Sequence, residues 1–294
     1  MLSLEFLAQL LDENRGAAAV KVREFSLGGR AFAFNSEPSI MGVVNLSADS
    51  WYRESVCLSI DQAVQRGKVL AAQGAAIIDI GAESTLAQAA RLDARAQQSK
   101  LIPVIQGLAQ ADLIVSAETY QAEVAKACLE AGAKVINLTG VTDAAEIFAM
   151  AADHGAGVVI CYVQGRNVRE VGDFDLNQII PAMHEYFLRQ TDLAVKNKLE
   201  RILIDPGMGF YYRNLQDSAV RVRHQMMTFL HTFRLRALGF PVCHALPHAF
   251  EYFGEEVRCA EPFFAVLAAL GKTDLFRTHE VPKIKAVLDT LRVI

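Results

Sequence analysis

One phrase recurs along this chain and constrains its fold more than any other feature. A glycine among small residues is followed by a short apolar run that ends in a polar residue or a thiol. Clear copies are Gly74-Ala75-Ala76-Ile77-Ile78-Asp79, Gly132-Ala133-Lys134-Val135-Ile136-Asn137 and Gly155-Ala156-Gly157-Val158-Val159-Ile160-Cys161. Looser copies start at Leu238-Gly239 and Leu270-Gly271. Each glycine stands where a helix closes through a left-handed residue, the conformation glycine adopts at least cost. Each run is short and mostly unalternating, as a strand buried on both faces must be. Helix end, turn and buried strand in repetition are the rhythm of a parallel α/β barrel, and chemistry is then expected just past each strand.

Eight such strands are expected, near 39–45, 76–81, 112–117, 134–138, 157–162, 201–205, 240–245 and 274–278. Helical patterns lie between them, for example over 59–73, 119–131 and 175–198. Eight units of this length predict a single (β/α)8 TIM barrel. A doubly wound open sheet is the competing architecture, and periodicity alone does not separate the two. Ahead of the barrel, 3–13 reads as an amphipathic helix. The stretch 22–34 alternates around Gly28-Gly29 as a hairpin that covers or plugs one barrel end. The expected organisation is therefore a helix-and-hairpin extension over 1–38 and a barrel over 39–294.

With 294 residues, 52% apolar, and no Pro/Gly/Ser-rich or highly charged divider, one barrel with its extension accounts for the length. A formal charge of −4 argues against a nucleic-acid partner. The five cysteines (Cys57, Cys128, Cys161, Cys243, Cys259) are scattered, with no CxxC spacing. They read as buried reduced thiols of a cytoplasmic protein, not as a disulfide framework or a zinc site. Glu5, Asp12 and Glu13 interrupt the first apolar residues, so no signal peptide is expected. No run reaches the ~18 apolar residues of a membrane helix, and no membrane partner is expected.

The residues at the strand ends are distinctive. Strand one leads into Met41-Gly42-Val43-Val44-Asn45-Leu46-Ser47-Ala48-Asp49-Ser50-Trp51, and strand two into Gly81-Ala82-Glu83-Ser84-Thr85. Strand three ends in Ser116-Ala117-Glu118-Thr119-Tyr120, strand four in Asn137, strand six in Asp205-Pro206-Gly207-Met208-Gly209-Phe210, and strand eight in Arg277-Thr278-His279. From about residue 39 to the C-terminus this order resembles the dihydropteroate synthase family. The family's phrases are MGIxNxTPDSF, DIGxESTRPG, xSVDTY, xIND, LDPGxGF, SRKSF and RVHD. Together and in order they are specific, and singly they are weak. The resemblance implies a step of folate biosynthesis in which dihydropterin-CH2-diphosphate loses its diphosphate and the amine of p-aminobenzoate attacks the carbon. It also implies Mg2+ and a homodimer, for which the apolar stretch 263–270 is available.

The residues can be set against that chemistry one by one. A pterin presents an amino group beside a ring N–H, and the carboxylate of Asp205 can accept both. The plain alternative is that Asp205 caps the Pro206-Gly207 turn. Asn137 offers a donor and an acceptor to the same ring, or else a bond to loop backbone. Glu118 is the third expected pterin contact. Asn45, the family's Mg2+ ligand, supplies a hard neutral oxygen, or else opens an Asx turn. Arg277 and His279 alternate, so both point to one side of an extended chain and can take up charge on departing diphosphate. The alternative for Arg277 is a surface ion pair with Glu280 or Asp274. Asn45, Arg277 and His279 are the residues expected to serve catalysis. The 47–50 and 83–85 loops correspond to the family's two mobile substrate loops. Among the other histidines, His154 reads as a helix C-terminal cation, and His184, His224 and His231 as surface residues.

Four departures separate this chain from the family pattern. Glu118 stands in place of an Asp, which pushes the carboxylate out by one methylene. Leu86 replaces an Arg after the EST motif. Cys161-Tyr162 replaces Met-His, and the Tyr ring can stack on a flat heterocycle. Leu246-Pro247-His248 replaces Ser-Arg-Lys, which removes the Lys that contacts the pterin carbonyl. His248, or secondarily His244, is the expected substitute donor, shorter than Lys and mostly neutral at pH 7. These departures keep alternatives open. One is a paralogue that joins a pterin to an amine other than p-aminobenzoate. Another is a non-catalytic pterin-binding pseudoenzyme, and a third is a pterin-dependent methyl carrier. The Arg277/His279 pair speaks against the last two.

Overall fold

A computed structural model of the chain describes residues 2–47, 56–83, 91–170, 172–173, 175, 178–209 and 217–293. The 48–51 part of the first loop, Ser84, Thr85, Leu86 and Phe210 lie outside the described residues. Helix α1 (Leu4–Glu13) starts at Ser3, whose hydroxyl accepts the Phe6 N–H at 3.2 Å. Helix α2 (Arg15–Ala18) follows. Strands β1 (Phe25–Leu27) and β2 (Arg30–Phe32) pair antiparallel as the expected hairpin. Its turn residues Gly28 and Gly29 are both left-handed, with φ 53° and 81°.

Parallel strands then alternate with helices. In chain order they are β3 (Ser39–Asn45), α3 (Ile60–Ala72), β4 (Ile77–Gly81), α4 (Ala94–Ala109), β5 (Val115–Thr119), α5 (Ala122–Glu130), β6 (Val135–Leu138) and α6 (Ala144–Asp153). Next come β7 (Gly157–Cys161), α7 (Ile179–Lys196), β8 (Ile202–Asp205), α8 (Ser218–Leu230), α9 (Thr232–Arg236) and β9 (Cys243–Ala245). The chain ends with α10 (Phe250–Phe253), a 3-10 turn (Gly254–Cys259), α11 (Ala260–Leu270), β10 (Leu275–Thr278) and α12 (Val281–Leu291). The sheet order is β8-β7-β6-β5-β4-β3-β10-β9. Its two ends meet at a parallel bridge between Ile204 and Val242. The strands thus form a nearly closed TIM barrel, and the open sheet is excluded.

Strand parity sorts the side chains. Val44, Ile78, Ile80, Ala117, Ile136, Ile160, Ile204 and Phe276 point outward into the main core against the helices. Met41, Ile77, Val135, Val159, Leu203 and Leu275 point inward and pack on Leu27, Phe32 and Phe34 of the N-terminal extension. The hairpin therefore stops the N-terminal end of the barrel. Each such buried side chain contributes about 1.5–3 kcal/mol, so this floor is apolar and dry and polar chemistry is left to the other end. Buried Arg236 ties the extension down: it forms a two-pronged pair with Asp274 (3.0 Å on each oxygen) and reaches Val20 O at 3.3 Å.

Several details differ from expectation. Strand β5 starts at Val115 because Asp112 turns left-handed (φ 56°) to close α4, a conformation its short polar side chain tolerates. The penultimate strand shortens to Cys243–Ala245. All five cysteines are free, but Cys259 is exposed and Cys57 only half-buried. His224 is no surface residue: its side chain is buried inside α8, and desolvation pushes its pKa down to about 4. No helix among the described residues is long and apolar enough to cross a membrane.

Gly74, Gly132, Gly155 and Gly239 are left-handed as expected. Gly271 is not: its φ is −80°, and Lys272 takes the left-handed position instead (φ 66°). Gly271 is required for room, since a Cβ there would lie 1.8 Å from the Phe229 carbonyl oxygen. At Gly155 a Cβ meets nothing within 4 Å, so only the backbone strain of about 1–2 kcal/mol applies. Thermal unfolding should therefore show Gly271→Ala lowering Tm at least twice as far as Gly155→Ala, which should cost about 2–6 °C. Equal losses would refute the close-approach argument.

Candidate active site

The inward parity that builds the apolar floor continues up the barrel and changes character. Asp79, Ser116, Glu118, Asn137, Cys161, Asp205 and Arg277 carry it to the C-terminal mouth, where register aligns Asp79 with Ser116, Glu118 with Asn137, and Cys161 with Asp205. Asp79 is the hub. Its fully buried carboxylate accepts from Ser116 Oγ at 2.6 Å, from Asn137 Nδ2 at 3.2 Å and from Arg277 Nε at 2.6 Å. The other prong of the Arg277 guanidinium donates to Glu118 Oε2 at 3.0 Å. Arg277 is therefore an interior residue, and the surface pairing is ruled out: Asp274 pairs with Arg236, and Glu280 with Arg258. Sequence reasoning passed over Asp79 as the end of an apolar run. A charged residue inside a strand buried on both faces was the available signal.

Burial and charge set the protonation of this cluster. Desolvation raises Glu118 to about 7, against the pull of Arg277. Asp205 rises to about 6 for the same reason, opposed by the Gly207 N–H and Arg277. Burial disfavours the charge on Arg277, but Asp79 and Glu118 more than compensate and hold its proton firmly. Asp205 Oδ1 accepts the Gly207 N–H at 2.7 Å, so the turn-capping role is real and occupies one oxygen. Asn137 leaves Oδ1 buried without a partner while Nδ2 is held by Asp79. Such an orphaned acceptor costs about 1–3 kcal/mol unless a ligand donor meets it.

Asn45 belongs to the same mouth. A Cβ built on Gly81 would lie 3.4 Å from Glu118 Oε2 and 4.0 Å from Asn45 Oδ1, so the two oxygens flank the end of β4. Asn45 Nδ2 faces His279 Nε2 at 3.3 Å. His279 in turn places Nδ1 2.9 Å from Glu261 Oε1, and His248 Nε2 lies 3.7 Å from the same oxygen. Glu261, at the start of α11, was missed from sequence because it opens an otherwise apolar helix. Arg169 was missed as well. It lies after β7, buried, and pairs with Glu83 at 3.2 Å, which also accepts from the Tyr120 hydroxyl at 3.3 Å. Arg169, Glu83, Tyr120 and Glu118 line one small cavity, so a loop cation reaches this rim from a different loop than Leu86.

Two expected residues are elsewhere. His244 is out of register with Arg277 by one residue and faces the helices. It is fully buried with Nε2 2.8 Å from the Thr232 hydroxyl and its ring 4.7 Å from Phe229, and desolvation drops its pKa to about 3. It cannot replace the Lys. Tyr162 packs edge-on against Tyr186 (4.9 Å) and Phe187 (6.2 Å), so its ring serves the core and does not stack in the mouth. Leu246 is buried beside the site, its N–H on Arg277 O at 2.9 Å.

Comparison with known proteins places the chain in a family. The family model of the pterin binding enzymes matches residues 41–246. A dihydropteroate synthase of Synechocystis sp. is 30% identical over 268 residues, 87% of this chain and 89% of that protein. The dihydropteroate synthase of Xanthomonas albilineans solved with 4-aminobenzoic acid is 27% identical with a TM-score of 0.77, covering 93% of this chain and 98% of its own. The same enzyme in complex with 7,8-dihydropteroate gives 26% identity and a TM-score of 0.74 over 92% and 98%. A shared barrel and a match over most of both chains leave one assignment: the chain belongs to the dihydropteroate synthase family of pterin-binding enzymes.

Proposed function

We propose that this chain is a dihydropteroate synthase-like transferase acting in folate biosynthesis. It joins dihydropterin-CH2-diphosphate to the amine of p-aminobenzoate. The C–O bond to diphosphate breaks, a C–N bond forms, and the amine loses a proton. One observation carries the reading: Asn137 Oδ1, buried and unpartnered, stands among two carboxylates and a guanidinium at the mouth of a barrel of this family. That set suits the edge of a pterin, with Asp205, Glu118 and Asn137 accepting its N–H groups.

Leaving-group charge falls to the other side of the mouth. Arg277 is already gripped by Asp79 and Glu118, so it meets diphosphate as a fixed guanidinium that needs no reorganisation. His279, its Nδ1 2.9 Å from the buried carboxylate of Glu261, turns its ring to the same anion. The amide oxygen of Asn45 beside the end of β4 is a hard neutral donor that fits Mg2+. When bound there, Mg2+ would neutralise developing charge on the diphosphate. His248 and Arg169 are the remaining cations or donors at the rim. The reading carries with it a cytoplasmic homodimer. Five free cysteines suit a reducing compartment, and Phe263 and Leu270 stand exposed on α11.

A second reading rests on Leu246 and Pro247, both buried and apolar where the family has Ser and Arg. Such a pocket wall favours an amine less polar than p-aminobenzoate. A pyrophosphate-release assay with pterin diphosphate and Mg2+ decides. Release that depends on p-aminobenzoate supports the synthase. Release only with another amine supports the second reading. No release, together with no pterin-induced rise in Tm, would overturn both.

The raised carboxylates give a pH signature. Below their pKa values of about 7 and about 6, Glu118 and Asp205 are protonated and cannot accept both pterin donors. Pterin affinity should therefore rise several-fold from about pH 5 to about pH 8, with protons released on binding. Calorimetry in buffers of different ionisation enthalpy measures the release, and Glu118→Gln should leave only the lower step. Stability runs the other way. Folded Glu118 holds its proton longer than the unfolded side chain, so the ligand-free chain loses stability as pH climbs from the ordinary carboxylate range through about 7. A pH-independent affinity would remove the two carboxylates from the pterin site.

A further inference from the structure

We propose that His248, Glu261 and His279 form a binding site for one divalent transition-metal ion of the zinc class. The inference does not rest on the transferase reading, because it stands on the donor set alone. One ligand atom from each residue lies within 4.8 Å of the other two. Two separations are 2.9 Å (His279 Nδ1 to Glu261 Oε1) and 3.7 Å (His248 Nε2 to Glu261 Oε1). Tetrahedral bonds of about 2.0–2.1 Å set neighbouring ligands about 3.4 Å apart, so an ion fits with small ring movements. Two imidazoles and one carboxylate suit zinc, cobalt or iron and not magnesium.

The surroundings are built to hold the carboxylate. Glu261 is fully buried. Its Oε2 accepts from the Thr278 hydroxyl, from the His279 N–H at 3.2 Å and from the Glu280 N–H at 3.4 Å. Those bonds fix the group so that Oε1 is turned to both rings, the kind of outer support that metal-ligating carboxylates receive. These donors satisfy Oε2, and a cation between the rings would add charge pairing at Oε1, as a carboxylate sealed from water favours. The rings keep 16% and 11% of their surface exposed, so the fourth position opens on their side. It would take water or an anionic oxygen. An ion on Nδ1 places the remaining His279 proton on Nε2. That nitrogen faces the Asn45 amide, which couples the site to the mouth.

The test uses the whole chain, freed of metal by a chelator, with no pterin or amine present. Calorimetric titration with Zn2+ should give one ion per chain, and Co2+ should give the visible bands of a low-coordinate site. His248→Gln and Glu261→Gln should each weaken binding by ~100-fold, and His154→Gln, on an exposed histidine, should not. Circular dichroism confirms that each variant folds; His248, in a loop, tests the site even if Glu261→Gln unfolds. Absence of one-to-one binding in the wild-type chain would overturn the proposal. So would a His248→Gln chain that binds as tightly as wild type, and the three residues would then be only an ion-pair network. Because no substrate enters the measurement, its outcome is independent of the pyrophosphate assay.

Discussion

The grip of Arg277 on Asp79 and Glu118 is the interaction on which the mouth of this barrel depends. It spans three strands that are distant in sequence, β10, β4 and β5, and it does so with the guanidinium fork that suits two carboxylates at once. Breaking one partner of a buried pair costs about 3–5 kcal/mol because the other charge is stranded. The arrangement therefore holds Asp79 in place, and Asp79 in turn fixes Ser116 and Asn137. A binding surface for a flat polar heterocycle results from bonds that the protein makes to itself.

That surface exists because of a division set by strand parity. Outward positions are apolar and bind the helices; inward positions are apolar at the floor and polar at the mouth. The N-terminal extension closes the floor with Leu27, Phe32 and Phe34. Burial of the two carboxylates away from water is what lifts Glu118 and Asp205 toward neutral pH. The same dryness strengthens every hydrogen bond offered to a ligand.

The barrel and most of the site were legible in the sequence for a physical reason. A buried parallel strand tolerates few polar residues, so Glu118, Asn137, Asp205 and Arg277 stand out at strand ends. The extension was legible too, through Gly28-Gly29 and the alternation about it. What was hidden depends on direction and distance. His244 and Ala245 differ by one position and point to opposite faces of β9, and no pattern in 240–245 says which is which. Tyr162 is aromatic and adjacent to the site in sequence, yet its ring found Tyr186 and Phe187. Glu261 and Arg169 reach the mouth from a helix start and a loop, where strand logic gives no warning. Gly271 shows the same limit at the backbone: its motif reads as a helix stop, while its reason is the approach of Phe229.

The loss of the family's Lys gains meaning from where His248 lies. A Lys at that place would add a cation to the site. His248 instead turns its ring to Glu261, 5.6 Å from the ring of His279, and burial lowers its pKa, which keeps it neutral at pH 7. The carboxylates of the mouth therefore face Arg277 with less positive charge than the family pattern provides, and part of the compensation is their own protonation near neutral pH. Arg169 restores a cation on the Glu83 side of the rim but spends it on Glu83. A leaving diphosphate must then be received by Arg277, by the His279 ring, or by ions. In this chain the ammonium that the family sets on the pterin carbonyl gives way to an imidazole, while Asn137, Asp205 and Arg277 keep the residue types of the family pattern.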